Sequence, residues 1–480
     1  MKSKKKSRIE NLVKNTLIIS LGTFLPQLTS LITLPILTLK LSSAEYGYYD
    51  LIGTLISLLI PIITLQIQAA GFRFILSSKD DKIQCTKYIS NIFFVVTISS
   101  FFSTIILYFV FYKLSNWIKI CILMYFVLDT YTNALIQIVR GFSKNKIYSI
   151  GAIIQSLVKT IVLYILLINA NLGLLGSIIA LILGNVVAFI FEFCAIKLWQ
   201  YLSFKQISKN IIKEMLKYSW PMVPNTLSGW ILRVSDRIVI TSFLGIEQNA
   251  IYAIANKIPN LLGVLNSTFT MAWQENASIN ANDNDIEFYY TSMFNMFIKF
   301  LAGGTAILIS FTPIMFIILI NGNYKLAYYQ MPILFIGIFY SCISSFLGGI
   351  YIANKRTKNV GITTIIAAVI NLVVDLILIS YIGITAGSIS TLVSYIILVL
   401  YRMYDLRKYQ NINYDLKAFL FVNLYLIVMS IIFFFNNTML NILNVMIGLS
   451  FAIIINKDII QKIIEKIKER SGANDNKKNS

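Results

Sequence analysis

The chain places cations where they could hold an anion. Arg233 and Arg237 are four residues apart, so they share a helix face, and Asp236 follows Arg233 by three on the same side. Lys257 lies beyond a short hairpin. Counted at about 1.5 Å per residue from the connection at 244–249, Arg237 and Lys257 fall at one depth, roughly 10–12 Å from it. Asp236 can neutralise only one of the three cations, which leaves a net positive group suited to a pyrophosphate, where a guanidinium fork gives paired hydrogen bonds. The same residues also suit a structural Arg-Asp-Arg cluster that locks two helices. Lys159 and Asp129 occupy comparable levels in neighbouring segments, as a buried ion pair or with Lys159 as a further phosphate contact. Arg73 and Arg140 stand at helix ends, either as topology determinants or as entry contacts for a lipid phosphate. Asp129, Glu192 and Asp375, with Asp236 beside the arginines, are the carboxylates available for coupling to H+ or Na+, although a structural role suits each of the first three better. The chain has no histidine, which excludes His-based metal sites and Ser-His-Asp catalysis. Its four cysteines are scattered singly. No catalytic residue, metal site or cofactor is expected.

The elements that must position these side chains are membrane spans. Apolar runs of roughly 20 residues, enough to cross a hydrocarbon core of roughly 30 Å, recur from Thr16 to Ile455. A chain of 480 residues with 57% hydrophobic and only 13% charged residues cannot hide that surface in a soluble core. The net charge of +20 sits in connections and tails rather than on one globular face, which argues against nucleic acid as a partner. The basic start (Lys2, Lys4, Lys5, Lys6, Arg8) precedes a run too long for a signal peptide, so a retained first span is expected. The chain therefore reads as an all-α polytopic membrane protein with about fourteen spans. They lie near 15–39, 48–71, 88–112, 117–139, 150–169, 174–196, 218–243, 250–273, 288–320, 327–352, 360–380, 384–404, 414–436 and 438–456.

Lys and Arg concentrate in the even-numbered connections and both tails, from Arg73, Lys79, Lys82 and Lys87 to Arg402, Arg407, Lys408 and Lys417. The positive-inside rule then puts both termini in the cytoplasm. Connection 274–287 departs from the pattern, with four acidic residues and no Lys or Arg. An internal repeat accompanies the alternation. Ser43 to Tyr49 after span one is similar to Ile246 to Tyr252 after span seven, and Asn171 to Ile178 is similar to Tyr381 to Ile389, both offset by slightly more than 200 residues. Two six-helix lobes related by a pseudo-two-fold axis along the membrane normal follow, with two extra C-terminal helices outside the repeat. The expected organisation is a basic cytoplasmic tail (1–14), a first lobe (15–197), a basic connection (198–217), a second lobe (218–404) and an extra helix pair (414–456). A basic amphipathic helix and cytoplasmic tail (457–480) close the chain on the anionic inner leaflet. Pro221 and Pro224 should kink the start of span seven.

Five stretches taken in register carry a family resemblance: Glu45-Tyr46-Gly47-Tyr48-Tyr49; Gly71-Phe72-Arg73; Ser235-Asp236-Arg237; Glu247 to Tyr252; and Asn371 through Gly387. The chain resembles the polysaccharide-transport (Wzx-like) flippases of the multidrug/oligosaccharidyl-lipid/polysaccharide (MOP) exporter superfamily along essentially its whole length. The resemblance implies a two-lobed bundle with a central cavity and alternating access. It also implies a lipid-linked oligosaccharide as substrate, an isoprenoid pyrophosphate carrying the repeat unit of a polysaccharide such as capsule or O-antigen. Asp375 stands where such proteins often carry a second Asn.

Three function classes remain. A flippase of the bacterial cell membrane fits the lobed repeat, the cationic interior and the extra helix pair, with membrane lipids and polysaccharide assembly proteins as further partners. A cation-coupled multidrug antiporter of the same superfamily would favour an acidic, aromatic cavity, against which Arg233, Arg237 and Lys257 speak. A membrane polysaccharide polymerase or glycosyltransferase needs catalytic groups in a substantial outer loop, and no connection exceeds about 20 residues. A transporter rather than an enzyme is expected.

Overall fold

The computed structural model describes residues 2–281, 283, 285–458 and 461; the side chains of 2–17, 19 and 268 are outside that description. Most of the expected basic amphipathic helix and tail at 457–480, and the side chains of the 1–14 tail, therefore lie outside the described residues. The chain is all-helical, in the order α1 (Lys2–Lys40), α2 (Ser43–Ile63), α3 (Ile67–Ser77), α4 (Lys82–Val110), α5 (Asn116–Gly141), α6 (Asn145–Tyr164), α7 (Gly173–Ala195), α8 (Lys209–Ser219), α9 (Val223–Leu244), α10 (Ile246–Ala255), α11 (Asn260–Ile279), α12 (Ile286–Leu319), α13 (Lys325–Ala353), α14 (Thr357–Ile382), α15 (Thr385–Leu406), α16 (Leu416–Phe434) and α17 (Thr438–Ile455).

Among the described residues twelve helices are long and apolar enough to cross a membrane. The other two expected spans are of a different kind. α9 has 22 residues, about 33 Å of helix, but carries Arg233, Asp236 and Arg237. The span expected at 250–273 is no single helix: α10 ends at Ala255 and α11 begins at Asn260, around Pro259. The span expected at 48–71 is likewise broken, between α2 and α3, where Leu65 (φ 47°) and Gln66 (φ 59°) both take the left-handed conformation that costs a side-chain-bearing residue energy. Broken helices matter in a membrane because freed backbone groups are tolerated only where protein or water satisfies them.

Side-chain caps fix where several helices begin. Ser42 and Glu45 form a reciprocal capping box on α2, Asp81 accepts from the amides of Ile83 and Gln84 to start α4, and Asn437 does the same for α17. Glu45 also accepts the Leu174 amide (3.0 Å) at the start of α7. There Gly173 has φ +53° and a Cβ would meet the Glu45 carboxylate; Gly383, at the matching place ahead of α15, has φ +60°. The two turns that mark the repeat in sequence thus share a backbone device that suits glycine. The expected kink at Pro221 and Pro224 is a full change of element: α8 stops at Ser219, a 3₁₀ turn spans Trp220–Met222, and α9 starts at Val223.

The helices form two compact units. The first holds residues up to Lys257 with Leu319–Tyr324 and Thr364–Ser390. Its core has two apolar clusters that share α4 and α5: Ile52, Ile56, Phe126 and Ile178 in one, Ile67, Ile89, Leu135 and Met215 in the other. The basic connection before α9 is docked rather than loose. Asn91 of α4 donates to the Gln206 carbonyl (2.9 Å) and accepts from the Ser208 amide (2.8 Å), while the apolar side of α8 packs on the second cluster. The second unit holds Ile258–Ile318, Lys325–Thr363 and the chain from Thr391 onward. Its centre is α13, against which Trp273 stacks on Phe346 (4.1 Å between centroids) and donates its indole N–H to the Phe346 carbonyl (2.9 Å).

Candidate functional site

Asp50, Thr54 and Ser57 lie on one face of α2 at helical spacing, and that face meets α9 within the first unit. Arg237 Nη1 is 3.2 Å from Asp50 Oδ1 and donates to Thr54 Oγ1 at 3.3 Å. One turn along, the Trp230 indole donates to Ser57 Oγ (3.0 Å), and buried Ser219 donates to the carbonyl of Leu65 (2.7 Å) in the α2–α3 break. At the N-terminal end of α2, Asn249 donates to the carbonyl of Gly47 (3.2 Å), and Gly47 presses on Ile246 so closely that a Cβ has no room. The two motifs that announce the repeat therefore touch. Each neutral bond contributes about 0.5–1.5 kcal/mol net, so the seam holds α2 on α9 by a few kcal/mol, the scale that separates interconverting states.

The seam carries excess positive charge. Lys257, in the turn between α10 and α11, is within electrostatic reach of Asp50 and Arg237, and Lys159 of α6 is within reach of Lys257. Arg237 and Lys257 thus share one carboxylate, with Lys159 as a third cation beside Lys257. That carboxylate is Asp50, which the sequence reading passed over, although an acidic residue inside a span was signal enough. Hydrogen-bonding capacity is unspent on both sides: Arg237 Nε and Asp50 Oδ2 are buried and make no hydrogen bond among the described residues. Arg233 is not part of this group. Its exposed guanidinium folds back over Gly229 and forms no ion pair with a described residue.

Asp236 belongs to a second, acidic group. It accepts from the Tyr252 hydroxyl (2.6 Å) and lies within electrostatic reach of Asp375 on α14. Asn371, one turn before Asp375, accepts from Ser235 Oγ (3.2 Å) and donates to Ser390 Oγ (3.3 Å). Asp375 is fully buried, and neither of its carboxylate oxygens has a hydrogen-bond partner among the described residues.

The expected ion pair of Asp129 with Lys159 does not form. Equal depth does not fix which way two side chains point, and Asp129 instead accepts from Asn133 (3.2 Å) and Asn185 (3.3 Å), with Gln155 bonded to Asn185 in turn. Glu192 is buried against Gly151, with one carboxylate oxygen unpartnered. Arg140 stacks its guanidinium over Phe72 (5.2 Å) and Tyr148 (5.8 Å), while Arg73 is exposed on α3. In the second unit, α12, α16 and α17 enclose an apolar cleft of about 550 Å³ whose lining includes Ile298, Phe421, Tyr425, Met446 and Phe451.

A helical bundle with interrupted spans and charges inside them is the construction of a membrane transporter. The profile of the family described as "Polysaccharide biosynthesis protein" matches residues 12–274, more than half of the chain, and the chain belongs to that family. It has the fold of MOP-superfamily transporters. The solved structure of "Lipid II flippase MurJ, inward closed conformation" superposes with a TM-score of 0.71 at 17% identity, covering 93% of this chain and 100% of that one. A multidrug resistance MATE family transporter of the MOP superfamily, inward-facing, gives 0.62 at 16% identity over 82% of this chain and 95% of that one. A MOP superfamily transporter from Pyrococcus furiosus, described as having a binding pocket of reversed polarity, gives 0.59 at 14% identity with the same coverage. No curated protein sequence matches the chain.

Proposed function

We propose that the protein is a Wzx-like flippase that moves an isoprenoid-pyrophosphate-linked oligosaccharide, the repeat unit of a polysaccharide, from the inner to the outer leaflet of the bacterial cell membrane by alternating access of its lobes 15–197 and 218–404. The observation that carries this reading is the series of cations Arg237, Lys257 and Lys159, the first two beside the carboxylate of Asp50 and the third beside Lys257. An excess of fixed cations inside a span region is costly unless an anion offsets it, and a pyrophosphate is such an anion. Arg233, exposed one turn from Arg237, and Arg73 and Arg140 on α3 and α5 are assigned to the approach of the lipid phosphate. The cleft of α12, α16 and α17 suits an isoprenoid chain, since most of its lining is aliphatic and aromatic, with Asn295, Lys299, Asp415 and Ser450 also on it. Both termini are placed in the cytoplasm, after the Lys and Arg bias.

A specific observation favours cation coupling. Asp375 is a buried carboxylate without a hydrogen-bond partner among the described residues, near Asp236, Asn371 and hydroxyl groups, a set of oxygens suited to H+ or Na+. Asp129 and Glu192 are the corresponding candidates of the first lobe. A multidrug antiporter would also use such carboxylates, but it gives the cationic seam no role. The test is transport of a labelled lipid-linked oligosaccharide in proteoliposomes under imposed Na+ or H+ gradients, with Asp375→Asn in parallel. The expected result is substrate movement that one gradient accelerates and that Asp375→Asn uncouples from it. No movement of any lipid-linked saccharide, together with export of a cationic drug, overturns the reading.

A further inference from the structure

Asp50 is the one carboxylate among the cations of the seam, and its pairing with Arg237 is incomplete. A guanidinium and a carboxylate can form two parallel hydrogen bonds; here only Nη1 and Oδ1 approach, at 3.2 Å, and the same Nη1 also serves Thr54. Arg237 Nε and Asp50 Oδ2 are left buried without a hydrogen-bond partner among the described residues. Asp50 is 8% exposed and sits on α2, whereas Arg237 sits on α9, so this single contact is both a charge balance and a fastening between two helices.

We infer that Asp50 is a resident counter-anion whose place at Arg237 the phosphate of the substrate takes. With the site empty, Asp50 offsets one of the three cations and holds α2 against α9. An incoming pyrophosphate offers several oxygens to the unused donors of Arg237 and to the lysines, and its negative charge repels the carboxylate. The ion pair that fastens α2 to α9 is then exchanged for one between α9 and the substrate. The neutral bonds of the seam, Trp230 to Ser57, Ser219 to Leu65 and Asn249 to Gly47, are left to hold α2 in place. Binding would thereby loosen the contact that an empty carrier keeps closed, so that an unloaded protein does not cycle freely. This inference rests on the pyrophosphate reading above and names the residue that links binding to movement.

The experiment uses the purified full chain in detergent, with geranylgeranyl pyrophosphate as probe and a single reporter cysteine at Val234→Cys, half-buried on the face of α9 between Trp230 and Arg237, in a background freed of the four native cysteines. In the otherwise wild-type chain the probe should raise the thiol labelling rate of the reporter severalfold. Asp50→Asn should bind the probe about tenfold more tightly, because no resident anion competes, and its reporter should label fast with or without probe. Asp50→Glu keeps the charge and should restore the wild-type pattern, which separates loss of the anion from general damage. A melting temperature measured for each variant identifies a chain that has not folded. If Asp50→Asn binds the probe no better and its labelling still depends on probe, the exchange is wrong while the pyrophosphate site stands. If neither wild type nor Asp50→Asn binds the probe, the site reading fails and takes this inference with it.

Discussion

Two arginines in different units of the molecule, Arg402 buried and Arg237 half-buried, show what residue type alone conceals. Arg402, in the second unit, is 3% exposed and bonds through every guanidinium nitrogen: Nε and Nη2 donate to Thr363 Oγ1 (3.1 and 2.9 Å), Nη1 to the Ser344 carbonyl (2.7 Å) and Nη2 to the Val360 carbonyl (3.3 Å). Asp405, one turn on, is similarly engaged by Tyr351 (2.8 Å), Asn359 (3.3 Å) and Lys408 (3.1 Å). Arg237 holds one carboxylate and one hydroxyl through a single nitrogen and leaves another donor idle. A guanidinium bonded through every nitrogen ties α13, α14 and α15 together and has little left for a ligand. One with an idle nitrogen among extra cations has a task still open. The difference that matters for a ligand is what each group could still bind.

The contrast breaks most visibly if Arg402 is removed. Arg402→Ala strips bonds from acceptors on α13 and α14, so a loss of at least about 3 kcal/mol of stability is expected. Thermal unfolding of the purified protein should show a lowered Tm and a smaller folded yield, while transport per folded molecule stays near normal. A stable Arg402→Ala protein that has lost transport would mean that Arg402, too, serves the substrate.

Arg402 also marks what the sequence made legible. Runs of about twenty apolar residues announce helices because only that length crosses a bilayer; among the described residues eleven of the expected spans are single helices of that kind, and α2 supplies a twelfth from the part of 48–71 ahead of its break. The basic side chains of the connections were counted for orientation, and Arg402 was counted with them, although it lies inside α15 and is buried. A charge census cannot tell a solvated lysine from a buried knot. The helix breaks were only half legible. Pro259 signals the one after α10, but nothing in the run through Leu65 and Gln66 does, because that turn is held by the hydroxyl of Ser219, far away in sequence. Counting depth from the tight turn at Gly245 brought Arg237 and Lys257 to one level, since both are measured from the same hairpin. It misjudged Asp129 and Lys159, which lie on helices whose relative rotation no depth count supplies. Asp50 escaped because it follows an aromatic motif that drew attention to the turn rather than to the span.

An intermediate effect is expected at Arg237. Arg237→Gln should lower transport by about tenfold, equivalent to about 1.4 kcal/mol, with a Tm shift much smaller than that of Arg402→Ala. Arg237→Lys should recover only part of the rate, because an ammonium keeps the charge without the planar fork. Measuring rate and Tm on the same preparations sharpens the comparison. If Arg237→Gln unfolds the protein as Arg402→Ala does, and a double change with Asp50→Asn restores stability, the pair is a structural lock and the distinction between the two arginines collapses.

The smallest effect belongs to Arg233. It shares a helix face with Arg237 by spacing, yet its guanidinium is exposed, folds over Gly229 and has no ion pair among the described residues. An exposed cation assigned to the approach path contributes through attraction over a distance, which salt screens, rather than through fixed hydrogen bonds. Arg233→Gln should therefore slow transport only about threefold, an effect under about 1 kcal/mol, with an unchanged Tm. That threefold should shrink as ionic strength rises, whereas the deficit of Arg237→Gln should persist, because a buried pair is screened much less. Transport assayed from low to high salt for both variants decides it. A deficit at Arg233 that equals that of Arg237 and ignores salt would place Arg233 within the binding group and show that spacing on the helix outweighs the exposure of its side chain.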